Sequence, residues 1–208
     1  MSILASRIKT FYANLRIQPT VDESRSHNSS DKILLTFDDF ADIQTVKSIL
    51  VILKKENVKA VFFLIGDLAK KNLEVVLEIE KNGHFVGNHT KTHANLLKLS
   101  ENEIIAEILG GPSSTLLRPP YGKYNKKIRE IAKTLGYKIC YWDVDSDDWQ
   151  GISPKEIVSR VAKKLHPGAC ILMHLNGLHT VEALPFLIKE IRNKGYKICS
   201  IGDEVIYG

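Results

Sequence analysis

Two short segments of the sequence hold acidic and histidine side chains in spacings that suit a metal-dependent hydrolase. Asp38 and Asp39 are adjacent and end an apolar run. His89 and His93 form an HxxxH pair, and on a helical turn this spacing places two imidazoles on one face within reach of one metal ion. The adjacent acids have a second interpretation as a helix N-cap, a role for which Asp42 is a rival.

Three further segments add an arginine, aromatic side chains, more acids and another histidine. They are Arg118-Pro119-Pro120-Tyr121-Gly122, Asp145-Ser146-Asp147-Asp148-Trp149 and Leu172-Met173-His174. Like the first two, each is predicted to lie where a strand ends. The carboxyl ends of parallel barrel strands meet at one rim, so the sequence predicts that all five segments converge on one site.

The elements that position these residues form a regular alternation from residue 32 onward. Seven apolar runs, separated by helical patterns, are Ile33 to Phe37, Ala60 to Ile65, His84 to Gly87, Thr115 to Leu117, Tyr137 to Trp142, Ala169 to Met173 and Lys197 to Ile201. Strands alternating with helices predict an α/β fold with a parallel sheet, either open or curled into a barrel. No strand is followed by a phosphate-binding glycine motif, which favours the barrel.

Several helix ends are marked by local signals. Ser100-Glu101-Asn102-Glu103 is a capping box, and Ser153-Pro154 is an N-cap followed by proline at the first helical position. Gly136 and Gly195 precede the repeated Tyr-Lys-Ile-Cys and are expected to terminate helices.

Composition limits the class of protein. With 208 residues, 44% of them hydrophobic, the chain can build one substantial core, so one domain is expected. The net charge is +5, but the basic residues are mostly lysine pairs within amphipathic stretches, which are typical of solvated helix faces. We therefore expect no nucleic-acid partner. No stretch approaches 18 apolar residues, so no transmembrane segment is expected.

The N-terminal residues 1–31 are predicted to be an extension and linker, with Val21 to Asp31 as the polar linker. Apolar residues at helical spacing, which are Leu4, Ile8, Phe11 and Leu15, favour a short helix packed on the domain over a basic surface-seeking helix or transit peptide. No secretory signal is evident. A cytoplasmic location is expected, and an extracytoplasmic one stays open.

The three cysteines, Cys140, Cys170 and Cys199, each lie inside a run predicted to be a buried strand. Their number and spacing give no sign of a disulfide framework or of a CxxC motif. We expect buried thiols in a protein of a reducing compartment.

The five segments, in this order, resemble the signature of the NodB-type polysaccharide deacetylases, carbohydrate esterase family 4. The resemblance runs from about Lys32 to the C-terminus and includes Phe62 to Gly66 and Gly83 to Thr90. It implies a distorted (β/α) barrel of about seven parallel strands, with the catalytic domain at residues 32–208. It also implies hydrolysis of the N-acetyl group of N-acetylglucosamine units in a chitooligosaccharide, chitin or peptidoglycan substrate.

The resemblance implies that Asp39, His89 and His93 hold one divalent metal ion, with zinc as the first choice and cobalt or nickel as alternatives. Two histidines and a carboxylate leave a coordination position open, as in catalytic zinc sites. Asp38 would be the general base. Arg118 would orient its carboxylate and keep it anionic, since a nearby guanidinium lowers a carboxyl pKa.

The same resemblance makes His174 the general acid that protonates the leaving amine. Asp148 is the first choice for its acidic partner, with Asp145 and Asp147 as rivals. The backbone N–H of Tyr121 would contribute to an oxyanion hole.

A few residues around the site are expected to affect which substrate binds. Trp149 and Leu172 would form an apolar wall against the acetyl methyl group and the sugar ring. Family members usually carry glycine where this chain has Phe40, which is expected to close part of the cleft or to require a different turn. The segment from Ile108 to Arg118 is short, which predicts a more open groove there. Two alternatives remain, a deformylase or amidohydrolase acting on another amide and a catalytically silent carbohydrate-binding domain.

Overall fold

The computed structural model describes residues 31–199, which form a series of βα units. The strands are β1 (Lys32–Asp39), β2 (Val61–Leu64), β3 (Phe85–Asn88), β4 (Leu116–Leu117), β5 (Lys138–Ile139), β6 (Val144–Asp145), β7 (Cys170–His174) and β8 (Lys197–Cys199). The α-helices are α1 (Ile43–Lys55), α2 (Gly66–Lys71), α3 (Leu73–Lys81), α4 (Glu101–Gly110), α5 (Lys126–Thr134), α6 (Pro154–Lys164) and α7 (Thr180–Asn193). Short 3₁₀ turns lie at Leu96–Lys98, Pro120–Gly122 and Asp148–Gln150.

The strands form one parallel sheet in the order β5-β4-β3-β2-β1-β7-β6, with β8 paired to the start of β1. Strands β5 and β6 are the two edges, yet only the four residues 140–143 join them. An extended link of this length spans at most about 18 Å, so the sheet must curl until its edges approach each other. The predicted distorted (β/α) barrel is confirmed.

Strand β6 was not among the seven apolar runs. It consists of two residues, Val144 and Asp145, which is too short to show a periodic pattern. The run predicted from Tyr137 to Trp142 contributes only Lys138–Ile139 as a strand.

Alternate residues of β1 face two different cores. Ile33, Leu35 and Phe37 pack between the sheet and the helices. Leu34 lies in the other core, inside the curled sheet, with Val61 and Phe63 among its members. Because side chains alternate along a strand, Thr36 and Asp38 follow Leu34 on the interior side. The interior therefore changes from apolar at its base to polar at the carboxyl rim.

The helix-end signals are confirmed. Ser100 and Ser153 each form a capping box with the glutamate three residues later. Gly136 and Gly195 follow α5 and α7 with φ of 83° and 85°, the left-handed conformation that glycine adopts without strain. Asp42 caps α1 by accepting from the backbone N–H groups of Gln44 and Thr45 at 2.8 and 3.1 Å.

Some predictions lie partly or wholly outside the described residues. These include the interpretations of Leu4, Ile8, Phe11 and Leu15, nearly all of the linker, and the last strand beyond Cys199. Within residues 31–199, no helix combines the length and apolar character that a membrane crossing requires.

Candidate active site

The five segments converge on one rim of the sheet. Asp38 pairs in register with His174 of β7, and Asp39 pairs with Leu64 of β2. Next along the sheet, Asn88 pairs with Leu117. His89 and Arg118 follow these last two residues, so they leave neighbouring strands at the same level.

Asp39, His89 and His93 form a cluster that could hold a metal ion. Asp39 Oδ1 lies 3.6 Å from His89 Nε2 and 3.4 Å from His93 Nε2. One ligand atom from each of the three residues lies within 4.8 Å of the others. Tetrahedral zinc with bonds of about 2.0–2.2 Å requires ligand atoms about 3.3–3.6 Å apart. The spacing therefore fits a small divalent cation.

The neutral form of His89 that the structure favours is also the form that binds a metal ion. Its Nδ1 lies 2.7 Å from the carbonyl oxygen of Arg118, an acceptor, so Nδ1 carries the proton and Nε2 presents a lone pair. Nε2 faces the carboxylates of Asp38 at 3.7 Å and Asp39 at 3.6 Å. Burial lowers the pKa of His89 to about 3, which keeps the ring neutral. Acceptor atoms facing one another are stabilised by a cation between them.

The helical turn predicted for the HxxxH pair is wrong. Residues 89–93 form a loop in which Thr90 and His93 have φ of 63° and 66°. The imidazole centroids of His89 and His93 nevertheless lie 4.9 Å apart. Asn88 holds this loop, because its Oδ1 accepts from Thr90 N–H at 2.8 Å and its Nδ2 donates to the Ile108 carbonyl at 2.8 Å.

Arg118 is fully buried and binds the proposed base directly. Its Nη1 donates to Asp38 Oδ1 at 2.7 Å and to Thr36 Oγ1 at 2.7 Å. Its Nε donates to the Cys140 carbonyl at 3.0 Å, and its guanidinium stacks 4.1 Å from the centroid of the Phe63 ring. The guanidinium is thus fixed on four sides.

The net pKa direction of Asp38 differs from the expectation. Burial raises the pKa of this carboxyl, Arg118 opposes the rise, and the pKa remains above its usual value. Arg118 lowers the pKa of Asp38, as expected, but the cost of burying the charge is larger and decides the net direction. A raised pKa brings a general base closer to neutral pH, where proton transfer is most effective.

His174 is paired with Asp148. His174 Nδ1 lies 2.7 Å from Asp148 Oδ1, and the backbone N–H of His174 donates to Asp148 Oδ2 at 2.8 Å. Burial alone would lower the pKa of His174, but the hydrogen bond and charge of Asp148, with Asp38 and Asp39, raise it above its usual value. The ring is therefore suited to hold and donate a proton.

The two rivals of Asp148 have other contacts. Asp147 pairs with Arg160 at 2.7 Å, and Asp145 Oδ1 accepts from the backbone N–H of Asp147 at 2.8 Å. Thr180 donates to Asp148 Oδ2 at 2.5 Å. Sequence reasoning missed Thr180, because it lies in a different βα unit from Asp148 and no local pattern links the two.

The remaining site residues lie around this centre. Tyr121 is 59% exposed, and its ring lies edge-on to His93 with centroids 4.6 Å apart. Trp149 is 60% exposed, whereas Leu172 is buried in β7. Phe40 is half-buried and packs against the core between sheet and helices.

Left-handed backbone conformations are concentrated in the site. Six non-glycine residues of the described chain have positive φ, and five of them lie in the rim segments: Asp39, Thr90, His93, Tyr121 and Asp147. Such conformations cost roughly 1–3 kcal/mol each, and they cluster where a site holds its groups in a fixed arrangement.

Comparison with known proteins agrees with this geometry. Residues 25–140 match the family model described as polysaccharide deacetylase. A peptidoglycan-N-acetylglucosamine deacetylase of Bacillus cereus is 36% identical over 183 residues, which is 82% of this chain and 66% of that protein. The chain thus spans just under two thirds of the length of this relative.

Solved structures extend the comparison. A carbohydrate esterase family 4 pseudoenzyme from Bacillus anthracis superposes with a TM-score of 0.80 at 33% identity, covering 84% of this chain and 65% of that one. A family 4 carbohydrate esterase from Streptomyces lividans, solved with acetate, gives 0.74 at 32% identity, covering 83% and 92%. The family-model match, the fold and the rim geometry agree, and the chain belongs to the polysaccharide deacetylase family, carbohydrate esterase family 4.

Proposed function

We propose that the protein is a metal-dependent deacetylase that removes the acetyl group from N-acetylglucosamine units of an oligo- or polysaccharide. The observation that carries this proposal is the grouping of three features at one rim. These are the Asp39-His89-His93 cluster, the Asp38-Arg118 pair and the His174-Asp148 pair. Together they supply ligands, a base and an acid.

Each group has a defined task in amide hydrolysis. A divalent ion in the Asp39-His89-His93 cluster would supply Lewis acidity toward the amide carbonyl and the attacking water. Asp38, oriented by Arg118, takes the proton from that water. The backbone N–H of Tyr121 donates to the oxygen that becomes negative on the substrate.

His174 completes the reaction by donating its proton to the departing nitrogen, which releases acetate and a free amine. The Asp148 carboxylate stabilises the imidazolium before this step. Because Asp38 and His174 are register partners on adjacent strands, both proton transfers occur at the same end of the site.

Exposed aromatic side chains at the rim support a sugar as the substrate. Tyr121 and Trp149 expose large aromatic surfaces at the rim, and exposed apolar surface of this kind is typical of ligand-binding grooves. The Bacillus cereus relative named for peptidoglycan supports a bacterial wall glycan or its fragments as substrate. Chitooligosaccharides are the alternative polymer.

The experiment is acetate release from N-acetylglucosamine oligomers of graded length and from peptidoglycan, with Asp38→Asn as the inactive control. Release that depends on Asp38 supports the proposal. Binding of the oligomers without release would favour the catalytically silent alternative, a possibility that the pseudoenzyme relative makes concrete. Release of formate from N-formyl analogues, with no acetate from any sugar, would favour the other amidohydrolase.

A further inference from the structure

Two cysteine thiols lie beside Arg118 inside the curled sheet and have no task in the reaction above. Cys140 Sγ and Cys170 Sγ lie 3.7 and 3.5 Å from the same atom, Nη2 of Arg118. The two thiols are also within hydrogen-bonding reach of each other. The guanidinium that orients Asp38 thus rests on a pair of sulfur atoms.

The three guanidinium nitrogens of Arg118 have different partners. Nε and Nη1 donate to oxygen atoms of Cys140, Thr36 and Asp38, whereas Nη2 contacts the two sulfurs. A buried guanidinium stabilises thiolate over thiol. The hydrogen bond from Cys170 and the charge of Arg118 lower the pKa of Cys140, while the same hydrogen bond and burial raise the pKa of Cys170. One sulfur is therefore the better nucleophile and the other remains a thiol.

The chain brings these cysteines together at the opening of the sheet. Cys140 follows edge strand β5 and begins the short link to β6. Asp143, three residues later, donates its N–H to the Cys170 carbonyl and accepts from the Cys170 N–H. Cys140 is buried and Cys170 is half-buried, and hydrogen peroxide is little larger than water.

We propose that Cys140 and Cys170 are a peroxide-sensitive dithiol whose reversible disulfide switches the enzyme off. The Cys140 thiolate attacks one oxygen of hydrogen peroxide and the O–O bond breaks, which gives a sulfenic acid and a hydroxide ion. The hydroxide takes up a proton from solvent, equivalent to the one that the thiol had released, and leaves as water. The Cys170 sulfur then attacks the sulfenic sulfur, the S–O bond breaks, and a second water leaves with the Cys170 proton. The two sulfurs are oxidised by two electrons, and the peroxide is reduced.

The consequence reaches Asp38 through Arg118. Forming the S–S bond draws together the two sulfurs that Nη2 contacts, so the guanidinium shifts while its Nη1 still holds Asp38 Oδ1. A displacement of about 1 Å in a catalytic group can cost about 10²-fold in rate. We expect a decrease in kcat of that order, and full recovery on reduction.

The test uses the full chain loaded with zinc, which does not react with peroxide. After peroxide treatment the remaining thiols are blocked, the disulfide is located by peptide mass mapping, and acetate release is measured before and after addition of dithiothreitol. The matched variants are Cys140→Ser, Cys170→Ser and Cys199→Ser. The last removes a thiol that donates to the Ile33 carbonyl, elsewhere in the fold.

Loss of activity together with a Cys140–Cys170 linkage is expected in the parent and in Cys199→Ser. Neither of the other two variants can form that linkage, and Cys140→Ser, which lacks the sulfur that peroxide attacks, should keep its own untreated activity. The proposal is overturned if no such linkage forms in the folded parent at any peroxide dose applied, or if the linked protein retains parental kcat. The activity arm rests on the proposed function. Locating the disulfide in the parent by peptide mapping needs neither enzymatic activity nor the variants. If the reduced chain released no acetate, that result would count against the proposed function alone.

Discussion

Two proton-transfer groups share the rim, and their surroundings give them opposite tasks. Asp38 is buried against Arg118, and His174 is held by Asp148. Both pKa values are raised. As the pH falls, the Asp38 carboxylate therefore becomes protonated, and stops acting as a base, at a higher pH than an ordinary carboxylate would. For the imidazole, the raised pKa extends the range in which the protonated acid is present.

Substituting either group should lower turnover and change one limb of the pH profile. Asp38→Asn and His174→Asn should each lower kcat by roughly 10² to 10⁴ while metal content stays near parental. Activity falls at low pH because Asp38 must be ionised, so Asp38→Asn removes the acidic limb. It falls at high pH because His174 must be protonated, so His174→Asn removes the alkaline limb. Parental activity with an unchanged alkaline limb in His174→Asn would show that another group donates the proton.

Asp148 and Asp147 offer a matched pair of substitutions. Asp148→Asn removes the anion that raises the His174 pKa, so the alkaline limb should move to lower pH. Asp147→Asn affects the side-chain contacts with Arg160 and Gln150, neither of which involves His174, so the limb should stay in place. The measurement is kcat against pH for both variants. Equal shifts, or no shift in Asp148→Asn, would contradict the pairing.

At the scale of elements, α7 stabilises the site by its first residue. Thr180→Val preserves shape but removes the donor to buried Asp148 Oδ2, which should cost about 1–3 kcal/mol of unfolding free energy. Thr180→Ser keeps the hydroxyl and should lose much less. Denaturant unfolding measures both. A loss in Thr180→Ser as large as in Thr180→Val would mean that packing, and not the hydrogen bond, is the cause.

The elements differ in how far the sequence predicts them. The capped ends at Ser100 and Ser153 are local signals, and the structure confirms them. The loop of His89 and His93 could not be predicted, because its left-handed residues are neither glycine nor asparagine. The Thr180 contact joins separate βα units, so only the assembled barrel shows it.

The five rim segments were predicted to meet because parallel strands share one polarity, and they do. The net pKa direction of Asp38 was not predicted, since it depends on how deeply the barrel buries the carboxyl. The assignment of residues 1–31 as extension and linker and the cytoplasmic location stay predictions.

At the scale of the whole molecule, Arg118 fills the interior of the barrel under the site. Arg118→Met leaves Asp38 buried without its partner, which should cost about 3–5 kcal/mol at neutral pH. The unpaired carboxyl becomes protonated as pH falls, so the loss should shrink in acid. Arg160→Met breaks a half-buried pair and should cost about 1 kcal/mol or less. Urea unfolding at several pH values tests this, and equal losses in the two variants would contradict it.

In the proposed function, Asp39, His89 and His93 bind a metal ion on which acetate release depends. The most direct measurement is acetate release from N-acetylglucosamine oligomers by the chelator-stripped chain, before and after one equivalent of zinc is returned. We predict no release without metal, recovery with about one bound ion per chain, and neither binding nor recovery in His93→Ala. Undiminished acetate release from a demonstrably metal-free preparation would contradict the account.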